Sequence, residues 1–131
     1  MKNKILSLRT LYYVSTLIIA VLIGFISGFV DIIHTQGVID ASNHLGYPLY
    51  FFTLLGIFKI LGGIALLLPK KFEQLSNIAY VGFTFDFIFA SYSHFSVGDP
   101  FAKVVVPLVF LAILASSYKL KNKIDIKEEE K

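Results

Sequence analysis

Leu11 to Ile33, LYYVSTLIIAVLIGFISGFVDII, runs 23 residues with no charge before Asp31. As a helix rising about 1.5 Å per residue, this stretch is long enough to cross a hydrocarbon core of about 30 Å. The arm ahead of it carries Lys2, Lys4 and Arg9 and is similar to the basic start of a signal peptide. The apolar run, however, exceeds the roughly 7 to 15 residues of a signal-peptide core, and no small-x-small cleavage site follows before Asp31. A retained membrane helix is therefore predicted.

The rest of the chain repeats the pattern. A polar stretch, His34 to Tyr47, leads to Pro48, which suits the first turn of a helix, and Leu49 to Leu68 follows before Pro69, Lys70 and Lys71 end it. Shorter spans are predicted over Ile78 to His94 and Phe101 to Tyr118, the latter bent locally at most by Pro107. Phe83, Phe85, Phe87 and Phe89 alternate like a strand. A lone strand in lipid would leave its backbone unpaired, and four segments cannot close a barrel, so helix is preferred. The expected fold is all-α, a transmembrane four-helix bundle in one domain (1–118), followed by a charged cytoplasmic tail (119–131).

Composition agrees. Of 131 residues, 56% are hydrophobic and 16% charged, against about 25% charged in soluble domains. Twelve of the 21 charged residues lie in the first nine or last thirteen positions. Lys and Arg number three in the N-terminal arm, two after the second span and five in the tail; the other two connections hold only Lys103. The positive-inside rule then places both termini in the cytoplasm of a multi-pass protein in the cell membrane, which needs an even number of spans. All seven tyrosines fall near predicted helix ends, as an interfacial belt would. The formal charge of +3 is juxtamembrane and suits anionic lipid, so the bilayer rather than nucleic acid is the expected partner. With no cysteine, disulfides, thiol redox steps and thiolate metal sites are excluded.

Lys59 and Asp86 fall near the centres of the second and third spans, where a charge costs at least about 2.5 kcal/mol. Their depths match, and each lies on a stripe of small residues, Gly56 and Gly63 beside Lys59, Gly82 beside Asp86. A Lys59–Asp86 pair inside the bundle is predicted. It either neutralises two charges and fixes helix register, or forms a proton-accepting or ligand-anchoring site.

A second cluster is expected on the outer side, from Asp31 and His34 at the end of the first span, His44 in the loop, and His94 with Asp99 after the third. No H-x-x-x-H or H-E-x-x-H spacing supports a metal. Either His34 and His94 cap helix ends or bond loop backbone while His44 is solvated, or His94 and Asp31 bind the polar head of a quinone or lipid above Lys59 and Asp86. Gly24 and Gly28 form a G-x-x-x-G stripe that packs within the bundle or joins a second copy. No phosphate-binding loop or G-x-S-x-G elbow appears, so soluble-enzyme chemistry has no support.

The order Gly46-Tyr47-Pro48, Lys59-Ile60-Leu61-Gly62-Gly63, Leu66-Leu67-Leu68-Pro69, Ala79-Tyr80-Val81-Gly82-Phe83, Ser93-His94 and Gly98-Asp99-Pro100 resembles the DoxX-like family of small four-helix membrane proteins. The likeness spans about residues 46–118, with Lys59, His94 and Asp99 on recurrent polar positions. It departs at Asn77-Ile78, where an acidic residue and a tryptophan are expected. The resemblance implies a membrane bundle and no single chemistry. Similar proteins include a subunit of a thiosulfate:quinone oxidoreductase, a component of an oxidoreductase complex that counters oxidative stress, and an animal chaperone for receptor assembly. The leading expectation is an accessory membrane subunit of a quinone-linked redox system, with Lys59, Asp86 and His94 lining a polar pocket and quinone as the candidate cofactor. The alternative is a non-enzymatic assembly factor or scaffold for other membrane proteins. A proton-coupled carrier is a third class, disfavoured because one such chain gives only a small pathway.

Overall fold

In a computed structural model, residues 2–130 are described, and they form five helices joined by short turns. Helix α1 covers Lys2–Ile33, α2 Gln36–Leu45, α3 Leu49–Leu66, α4 Glu73–Ser96 and α5 Phe101–Glu129. Three of them, α1, α3 and α5, are long and apolar enough to cross a membrane. The four long helices run alternately up and down. Helix α1 packs against α3 and α5, and α4 packs against the same two.

The core holds Ile19, Ala20, Leu66, Ala79, Tyr80, Phe83, Phe87 and Leu114. Large apolar side chains also point outward in number; Phe58, Ile78, Phe89 and Phe101 are all more than half exposed. That inversion suits a lipid solvent, which removes the penalty water places on such a surface.

Several helix boundaries differ from the sequence expectation. The His34–Tyr47 stretch is not a loop: Gln36–Leu45 is helical, entered at Thr35, whose carbonyl accepts from Val38 and Ile39, and closed by Gly46 at φ 82°. Val38 and Ser42, four residues apart, turn inward together. The charged tail is helical as far as Glu129, continuing α5, and Ile124 is buried within it. Arg9 pairs with Glu128, Lys70 with Asp125 at 3.6 Å and Lys121 with Glu73 at 3.7 Å. Periodicity in apolar residues could not reveal these extensions, because polar and charged side chains occupy most of their length. Lys131 lies outside the described residues.

Within α1, Ile18–Ser27 is wound as a π-helix. It faces α3, where backbones come close. A Cβ on Gly24 would lie 2.9 Å from the Cα of Gly63, and one on Gly63 would lie 2.9 Å from the Ala20 carbonyl oxygen. A Cβ on Gly28 would lie 2.9 Å from the Gly56 carbonyl oxygen, and one on Gly56 would collide with that of Gly28. The Gly24–Gly28 stripe is thus spent inside this chain. Gly82, expected on a packing stripe, instead has open space around the position of a Cβ.

A candidate intramembrane groove

The α1–α3 contact sets the geometry of the charged centre. Gly28 and Asp31 lie opposite Gly56, and His34 lies opposite Thr53. Asp31 is therefore about one helical turn from the Cα of Lys59, within reach of its four-carbon stem. The Lys59 ammonium donates to Asp31 Oδ2 at 2.8 Å and to Ser27 Oγ at 3.1 Å. Both charged side chains are largely buried, at 12% and 8% exposure. The expected Lys59–Asp86 pair is thus corrected: the ion-pair partner of Lys59 is Asp31. Depth counted from helix ends puts Asp31 at the membrane exit; the overlap of α1 with α3 instead brings it alongside Lys59. Ser27 was also overlooked; its spacing of four from Asp31 on one helix face is the signal that could have found it.

Asp86 sits on the neighbouring helix, on the wall of a groove between α3 and α4. This cavity of about 470 Å³ is lined by apolar side chains including Phe58, Ile78 and Phe83, together with Lys59 and Asp86. Gly82 leaves room in it. Lys59 therefore joins two environments, an inner pair with α1 and an outer apolar groove shared with α4.

The expected outer cluster does not assemble as one site. Asp31 turns to Lys59; His34, at φ 52°, ends α1 and shares a 2.7 Å hydrogen bond with Thr53 Oγ1. His94 and Asp99 do meet, Nδ1 to Oδ2 at 2.6 Å, and His44 completes the group at 2.6 Å from Oδ1. Hydrogen bonds from His94 first, then His44, hold the Asp99 carboxyl below the usual carboxylate range. This arrangement clasps α2 to the α4–α5 turn, reinforced by a 2.7 Å hydrogen bond between Tyr47 and Ser93. His94 does not line the groove, contrary to expectation.

Nearer the termini, Thr16, Ser117 and Tyr80 form a buried hydroxyl chain, with 2.6 Å from Ser117 to each neighbour. Tyr80 is 5% exposed, so it does not belong to an interfacial belt. A second cavity, about 410 Å³, opens beside this chain and is walled by Arg9, Lys70, Lys121, Glu73, Asp125 and Glu128. Its three cations and three carboxylates balance. Lys121 also donates to Asn77 at 3.1 Å.

An all-α chain with apolar outward faces, three membrane-length helices and a buried Lys59–Asp31 pair between two of them defines a small helical membrane protein. The chain belongs to the DoxX-like family, which matches residues 14–117 and so takes in Asp31, Lys59 and Asp86. Comparison with curated proteins and with solved structures returns no match.

Proposed function

We propose that this protein is an accessory membrane subunit of a quinone-linked redox system, with the groove between α3 and α4 holding the ligand. The observation that carries the reading is an apolar groove with Lys59 and Asp86 in its wall. A ring-and-tail molecule needs apolar walls for its body and a few polar groups for its head. In this reading the four long helices form a transmembrane bundle. Both termini are cytoplasmic, in keeping with the Lys and Arg excess in the arm, the α3–α4 turn and the tail. The chain supplies binding and orientation, and a partner supplies the electron path.

Purification in mild detergent, followed by mass spectrometry and an optical spectrum, tests this. A stoichiometric quinone, retained in His44→Ala but lost in Lys59→Met, is expected. A ligand-free chain holding one membrane protein partner would overturn it in favour of an assembly factor. The open space at Gly82 supports that second reading, because it leaves a place for a partner helix to approach closely.

A further inference from the structure

Three ionisable groups meet where the groove and the α1–α3 contact adjoin, and they do not balance. Lys59 is matched by Asp31 at 2.8 Å and further bonded to Ser27. Asp86 is the extra carboxylate. Among the described residues it has no ion-pair partner, while no fully buried side-chain nitrogen or oxygen lacks a hydrogen bond. Its oxygens are therefore reachable from the groove they line.

An ionised carboxylate only accepts hydrogen bonds, whereas an ammonium only donates, and Lys59 has one N–H beyond the two already used. The two groups consequently treat the two redox forms of a quinone differently. A quinone carbonyl can accept from Lys59 but offers Asp86 nothing except a second set of lone pairs. A hydroquinone hydroxyl can accept from Lys59, and the other hydroxyl can donate to Asp86 in a short charge-assisted bond.

Resting on the quinone reading above, we infer that the groove is selective for the reduced form: Lys59 anchors either form, and Asp86 discriminates in favour of hydroquinone. A hydrogen bond to a charged group corresponds to a preference of about tenfold or more. By linkage, each tenfold raises the midpoint potential of the bound two-electron couple by about 30 mV.

The test uses the full chain in lipid nanodiscs at pH 8 and a quinone with a ten-carbon tail, presented in oxidised form or in reduced form under argon. Equilibrium dialysis reads the affinity of each. At least about tenfold tighter binding of the reduced form is expected, kept in Asp86→Glu and falling to near parity in Asp86→Asn, whose amide both donates and accepts. Binding of both forms with equal affinity to the unmodified protein would overturn the selectivity and leave the quinone reading standing. Binding of neither would overturn both. The unmodified protein decides the matter even if Asp86→Asn fails to fold.

Discussion

The Lys59 ammonium reaches back along α3 to Asp31, near the end of α1, across 2.8 Å, and these two side chains are among the least exposed charges in the molecule. Among the described residues each is the other's only counter-charge within ion-pairing distance. Lys59→Met should therefore cost about 3 kcal/mol or more, because Asp31 is left alone in a low-dielectric site, and Asp31→Leu should cost about as much. The double variant should regain most of the loss. Thermal melts in one detergent, arranged as a double-mutant cycle, check this; strictly additive losses would refute the pairing.

The glycine contacts predict a graded series. Gly56→Ala and Gly24→Ala force a methyl into backbone 2.9 Å or less away, so each should destabilise by about 1 to 3 kcal/mol. Gly82→Ala meets nothing within 4 Å and should leave the melting temperature unchanged or slightly raised. Equal effects at all three positions would contradict the α1–α3 packing.

Ser117 joins two hydroxyls at once. Its replacement by alanine leaves both Thr16 and Tyr80 without their partner in a buried setting, at an expected cost of about 1 to 3 kcal/mol. Tyr80→Phe removes only one arm of the chain, though it also frees Ser117 to turn wholly to Thr16. The two losses should be less than additive when combined, as the same melts would show.

The clasp at Asp99 predicts an acid limb. Its carboxyl is lowered from 3.8, chiefly by the His94 hydrogen bond and then by that of His44. A lowered carboxylate stabilises the fold at every pH above its ordinary value, and that contribution disappears as pH falls through the lowered one. The melting temperature should thus exceed that of Asp99→Asn at pH 6, and the gap should close below about pH 4. A gap that does not begin to narrow as pH falls below about 4 would show that Asp99 acts by some route other than its charge.

Apolar run length identified α1, α3 and α5 as membrane-length helices, because hydrocarbon thickness acts on every span alike. Lys59 and Asp86, at matched distances from their helix ends in the sequence, do line one groove. The partner of Lys59 was not readable: it depends on the overlap of α1 with α3, which Gly24, Gly28, Gly56 and Gly63 set by close approach. Helix α2 hid in a polar stretch, although Thr35 and Gly46 bound it as start and stop. The Asp99 clasp needed the chain to fold back across 55 residues before His44 could meet it.

The pairing of Arg9 with Glu128 brings the two ends of the chain side by side. They could be joined by a short peptide and the ring reopened at the Gly98 turn, where φ is 77°, so that transit begins with α5. On the transmembrane reading proposed above, such a circular permutant keeps the helices and their basic flanks but reverses which side of the bilayer its first residue must occupy. Its insertion would separate two influences that the natural order leaves entangled, the pull of the lysines and the priority of the first helix to emerge.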